Sequence, residues 1–342
     1  MRKINGMKLS ILIAFLTLLV NCYASVKPNP IEGCKRISGT PGPEDIAIDR
    51  ENGILYISSH ERRGTLVDGK LFQINLNSTT EPVPTLIETN YPKNFRPHGI
   101  SLVKRNGKSL LYVISHVDLE TPVHAIEVFQ MEKTKTTHIE TILSQTFISP
   151  NDLHAIPDGR IFVSNDRGSG SKFRAYMDVL FGVKRSQISY FDGKVWKLFE
   201  DGVTLGNGIL YKKVNGKEYL YRAATTPEKI YKYELIQNGT ETSLKEVKVL
   251  SFDTGPDNLE EDDAGNIYFA AHKSMFRFLK HKDNSDYPSP SQIFVIDKND
   301  FAKEIYANDG SEIPSSSTGL EYKGRLYISQ VFNPFILSCP LN

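Results

Sequence analysis

One pattern recurs six times along the 342 residues: a turn, often with glycine, then an apolar strand with an aromatic near its centre. The copies are NGILYISS, SLLYVISH, GRIFVSND, EYLYRAAT, GNIYFAAH and GRLYISQ. Their aromatics are Tyr56, Tyr112, Phe162, Tyr221, Tyr268 and Tyr327. Self-similarity at this spacing marks an array of like units, each too small to bury its own apolar face. A short apolar run precedes each copy (DIAID, GISLV, DLHAI, GILYK, NLEED, GLEYK), and an alternating segment follows it (KLFQINL, AIEVFQM, QISYFDG, KIYKYEL, QIFVID, FILSC). Alternation at period two predicts half-buried strands. Three strands per unit, with room for a fourth, predict an all-β six-bladed β-propeller. No region alternates strand with helix as a parallel α/β fold does.

One segment departs from the pattern. RGSGSKFRAYMDVLFGVKRS lengthens the third unit, and Phe173, Tyr176, Met177, Leu180 and Phe181 recur at helical spacing. This predicts a short helical insertion over about residues 170–186. It reads equally as a lid over a site or as a cover for a blade edge. The apolar side chains of 173–183 would also suit a membrane or lipid surface.

The ends are read from charge and cysteine. Arg2, Lys3 and Lys8 precede ILIAFLTLLV, a basic start and a short apolar run that read as a signal or anchor segment over residues 1–22. A linker over 23–33 and a single propeller domain over 34–342 follow, placed outside the cytoplasm, either secreted or anchored through the N-terminus. Cys22 has two readings: a lipidation site in a lipoprotein-like LVNC box, or part of the signal segment. Cys34 and Cys339 bracket the repeats, and in an exported chain they suggest a disulfide between first and last blades, with two unpaired thiols as the alternative.

Lys and Arg number 41 against 40 Asp and Glu, a balance with no phosphate-backbone footprint, which argues against nucleic acid and for a small-molecule partner. The chemistry lies at one phase of the repeat. Eleven residues before Tyr56, Phe162 and Tyr268 stand Asp45, Asn151 and Asp257, flanked by Glu44, Asp152 and Asn258. Fourteen before Tyr112 and Tyr221 stand His98 and Asn207, and eleven before Tyr327 stands Ser316. Every unit therefore carries polar residues at the start of its innermost strand, where a propeller brings them together on its axis. Carboxylates so gathered repel one another unless a cation sits among them. Hard oxygen donors without cysteine suit Ca²⁺ better than Zn²⁺ or Mg²⁺. The alternative is a set of turn residues capping strand starts. His98 and His116 are the candidate bases. G-x-S-x-G, H-E-x-x-H, P-loop, G-x-G-x-x-G and C-x-x-C motifs are absent.

Taken in order, GPEDIAID, FRPHGISL, SPNDLHAI, GNGI, PDNLEED and YISQVFNP, with the cysteines at both ends, resemble the paraoxonase/arylesterase family over nearly the whole chain after residue 34. More distantly, the chain is similar to gluconolactonase-type propellers. The resemblance implies a six-bladed propeller that holds two calcium ions and hydrolyses lactones and aryl esters. It implies a catalytic calcium on Glu44, Asn151, Asn207, Asp257 and Asn258, and a structural one on Asp45, Asp152 and the Ile100 carbonyl. It also implies a His98–His116 pair and a Cys34–Cys339 disulfide. There are departures: Val117 follows His116 where the family usually has Pro, Arg167 follows Asn165-Asp166 where many members have His, and Ala271 replaces the familiar cysteine. Two rivals stay open, a non-catalytic calcium-stabilised binding propeller and a sugar-lactone hydrolase.

Overall fold

Each repeat folds as one four-stranded antiparallel sheet in the computed structural model, which describes residues 25–64, 67–118, 123–132, 135–239 and 241–341. The six sheets are the blades of the propeller. Residues 1–22, read above as a signal or anchor segment, and Cys22 with them lie outside the described residues. Among the described residues no helix is long and apolar enough to cross a membrane.

The inner strands are Pro43–Asp49, Pro97–Arg105, Pro150–Ala155, Gly206–Val214, Gly255–Glu261 and Ser316–Tyr322. The recurring aromatics sit on the second strands, and each fills the apolar layer between its own blade and the next. Tyr56 packs between blades one and two, Tyr112 between two and three, and Phe162 between three and four. Tyr221, Tyr268 and Tyr327 continue the series back round to blade one. One aromatic per interface explains the period of the repeat. Each stabilises its interface by roughly 1.5–3 kcal/mol through removal of apolar surface from water.

The ring closes by mixing its ends. Lys35–Ser38 pairs antiparallel with Phe335–Pro340 and forms the outer strand of the sixth blade. Cys34, just before that strand, is disulfide-bonded to Cys339. The bridge therefore lies within the sixth blade and clamps the closing strand to it.

Among the described residues two helices interrupt the strands. The expected insertion is α1 (Lys172–Phe181), which leaves Phe173, Leu180 and Phe181 exposed. A second, α2 (Met275–Asp283), follows the second strand of blade five and was not expected. Ser274 caps it by accepting from the Arg277 N–H. His281, on α2 itself, is buried, with Nε2 2.9 Å from Arg63 Nη2.

Candidate functional site

Every inner strand begins with a shift of register against its neighbour. The shifts fall between Pro43 and Asp45, Pro97 and Ile100, and Pro150 and Asp152. They recur between Gly206 and Ile209, Pro256 and Leu259, and Ser316 and Gly319. A bulge leaves its extra residues out of the ladder and re-aims their side chains. The residues so released are Glu44, His98, Asn151, Asn207, Asp257, Asn258 and Thr318. Two glycines let neighbouring blades close on this point. A Cβ on Gly99 would stand 2.5 Å from the Asn151 carbonyl oxygen, and one on Gly208 2.4 Å from that of Asp257.

Contacts link the upper set. Asn258 Nδ2 donates to Glu44 Oε1 and to Thr318 Oγ1, both at 3.1 Å. Glu44 Oε1 lies 3.8 Å from His98 Nε2, and Asn151 Nδ2 lies 3.4 Å from the same nitrogen. Asn207 Nδ2 donates to Thr225 Oγ1 at 3.1 Å, and His272 Nε2 is 2.7 Å from Asp257 Oδ2. The amide nitrogens are thus occupied. Among the described residues, Glu44 Oε2 and the Oδ1 atoms of Asn151, Asn207 and Asn258 are buried without a hydrogen-bond partner. A buried polar atom left unpaired costs about 1–3 kcal/mol, so four together call for a cation. Burial first, and the Asp257 carboxylate against the opposing Arg62, push Glu44 up to about 7. The set is all oxygen and fits a hard cation such as Ca²⁺. It relies on amides: among the described residues no three His, Cys, Asp or Glu side chains gather as a metal-holding group.

Asp45 and Asp152 form a second tier. Asp45 accepts from Thr318 Oγ1 at 2.7 Å and from the Ile100 N–H at 2.7 Å. Asp152 accepts from the Ile209 N–H at 2.8 Å. It is the amide nitrogen of Ile100 that meets Asp45. Burial, then the neighbouring Glu44 carboxylate, raises Asp45 to about 8, and burial and Asp45 hold Asp152 well above the usual range. Below them a cavity of about 70 Å³ is lined by Ser101, Asp152, His154 and Glu260 among others. His154, on the third inner strand, is one of these lining residues. Glu260 is an addition the phase count passed over.

The two candidate bases meet: the His98 and His116 rings are 4.9 Å apart, edge to face. Burial first, then neighbouring histidines and Arg62, hold both well below the ordinary imidazole range, so they are neutral at pH 7. Sequence reasoning missed three groups here. Arg62 Nη2 lies 3.3 Å from His98 Nδ1, His124 Nδ1 lies 2.9 Å from His116 Nδ1, and Thr318 joins both tiers. Thr318 stands two residues past Ser316 in the sixth copy, a usable signal. Arg62 and His124 have none at the repeat phase. Ser316 itself takes no place among the linked side chains; its backbone N–H donates to Ser291 Oγ at 2.9 Å. Arg222, on the second strand of blade four, is wholly buried.

Serum paraoxonase/arylesterase 1 of Rattus norvegicus is 27% identical to the chain over 330 residues, covering 92% of it and 90% of the relative. Serum paraoxonase/lactonase 3 of Oryctolagus cuniculus is 26% identical, covering 92% and 91%. Among solved structures, a gluconolactonase from Xanthomonas campestris superposes with a TM-score of 0.54 at 13% identity, over 93% of this chain and 94% of that one, a likeness of fold. The model of the arylesterase family matches residues 57–341, nearly the whole propeller, and with these relatives it establishes that the chain belongs to the arylesterase family, hydrolases of esters and lactones.

Proposed function

We propose that the protein is a calcium-dependent hydrolase of carboxylic esters, acting on lactones and aryl esters at the axial cluster. The observation that carries this is the group of four unpartnered buried oxygens on Glu44, Asn151, Asn207 and Asn258, beside a neutral histidine pair. With Asp257 these residues would hold a catalytic calcium, and Asp45, Asp152 and the Ile100 carbonyl a structural one. Bound there, calcium supplies Lewis-acid polarisation of the ester carbonyl.

The remaining work belongs to side chains. His98, with His116 beside it, takes the proton of the attacking water. Thr318 and Thr225 engage the amide nitrogens of Asn258 and Asn207, which leaves their oxygens free and would let them hold a cation. A lactone opens to a hydroxy acid, and an aryl ester gives an acid and a phenol. The Cys34–Cys339 disulfide supports an extracytoplasmic setting. The exposed Phe173 and Phe181 of α1 support contact with a lipid surface or an apolar substrate.

Assay of the domain from residue 26 on phenyl acetate and a panel of aliphatic lactones tests the reading. Hydrolysis lost on chelation and restored by calcium is the expected result. A folded, calcium-loaded protein that turns over none of them sinks it and favours a binding propeller.

A further inference from the structure

His116 and His124 stand directly opposite each other in the register of two neighbouring strands of blade two. Their side chains therefore leave the sheet on the same face. His124 is buried and His116 half-buried, and their Nδ1 atoms are 2.9 Å apart, a full hydrogen bond. Their rings meet edge to face with centroids 4.9 Å apart, as do those of His98 and His116. The three rings form a row running from the oxygen cluster into the blade.

A neutral imidazole carries one ring proton, on one nitrogen or the other. Two Nδ1 atoms in hydrogen-bond contact share one proton, so one ring donates and the other accepts. The two histidines must then hold complementary tautomers: the ring that donates from Nδ1 has a bare Nε2, and the ring that accepts carries its proton on Nε2. His124 thereby decides whether His116 presents a lone pair or an N–H on its far side, and fixes the plane of the ring.

We infer that His124 is a positioning residue for the ester hydrolysis proposed above, the third member of a His98–His116–His124 row. The inference rests on the hydrolase reading for its catalytic consequence and on the Nδ1–Nδ1 contact for its geometry. His124 touches neither the reacting atoms nor the oxygen cluster; it acts through His116.

The test has two readouts. Long-range ¹⁵N–¹H spectra of the calcium-loaded protein, with the rings assigned through His116→Gln and His124→Gln, report which ring nitrogens carry protons. One protonated Nδ1 in the pair supports the inference; two bare Nδ1 atoms overturn it. In kinetics on phenyl acetate, His124→Leu lowers kcat about 10–100-fold, the cost of losing an outer-layer partner, with KM and calcium affinity unchanged. His124→Asn, whose amide stands where Nδ1 stood, recovers most of that loss. A Leu variant with wild-type kcat overturns this role alone, and so does one in which kcat, KM and calcium affinity fall together. If the Leu variant does not fold, the wild-type spectrum still decides the pairing. Absence of any turnover by the wild type overturns the hydrolase reading and the catalytic role with it.

Discussion

Arg222 and Asp201 form an ion pair with both side chains wholly out of solvent, Nε standing 3.1 Å from Oδ2. The same guanidinium donates to the Asn165 carbonyl at 3.0 Å and to Ser186 Oγ at 2.7 Å. It thus ties blade four to blade three just behind Asn207. Burial raises the Asp201 carboxyl, with Arg222 opposing, so removing the cation strands an acid in the interior. Arg222→Met should lower unfolding free energy by about 3–5 kcal/mol, read from urea midpoints, and adding Asp201→Leu should recover much of it. A single variant within 1 kcal/mol of wild type would contradict this account.

Metal and histidine should separate. Asn207→Ala and Asp257→Ala remove oxygens proposed to hold calcium and should weaken both calcium binding by calorimetry and phenyl acetate turnover. His98→Ala should lower kcat by about 10²–10⁴-fold, the usual worth of an acid–base group, and leave calcium affinity intact. Equal loss of calcium in the His98 variant would undo that division.

The pH dependence of stability should change with calcium. Glu44 and Asp45, at about 7 and about 8 in the folded protein, hold protons that the unfolded chain has released. Their contribution is fully present below the unfolded carboxylate range near 4 and is lost as pH rises through 7 and 8. A bound cation favours the ionised forms and offsets that loss. Thermal melts of dialysed, metal-free protein and of calcium-loaded protein should therefore diverge as pH rises from 5 to 8. A constant gap would show that the carboxylates do not meet the ion.

Cys34→Ser with Cys339→Ser should cost roughly 2–5 kcal/mol, the usual loss for a native disulfide. The outer edge of blade six should lose hydrogen-exchange protection first, because Lys35–Ser38 is a short strand held by one neighbour. Uniform loss across all blades would mean that the bridge acts on the whole ring.

The blades were legible because each carries one aromatic and one polar turn at a fixed offset, as with Tyr56 and Asp45 or Phe162 and Asn151. The phase at which Glu44, His98, Asn151, Asn207 and Asn258 draw together was legible for the same reason. The bulges were not, because a register shift leaves no mark in composition; they determine that Glu44 and Asn258 reach the axis as well as their neighbours. Arg62 and His124 escaped because their proximity to His98 and His116 comes from the pairing and crossing of strands. Helix α2 escaped because Lys280, His281 and Lys282 give it a charged end that reads as a loop. The Cys34–Cys339 bridge was read correctly as a pair, but its place within one blade needed the observation that the first strand belongs to the last sheet.

That shared sheet sets a timetable for synthesis. Lys35–Ser38 leaves the ribosome before any blade exists, yet among the described residues its ladder partner is Phe335–Pro340, in the last blade. At roughly 5–20 residues per second the wait is on the order of 15–60 s. Throughout it, blades one to five can stack in sequence while the two rims of the unfinished ring, blade one and blade five, stand bare. The ring closes only when a strand made before the first blade meets one made after the fifth.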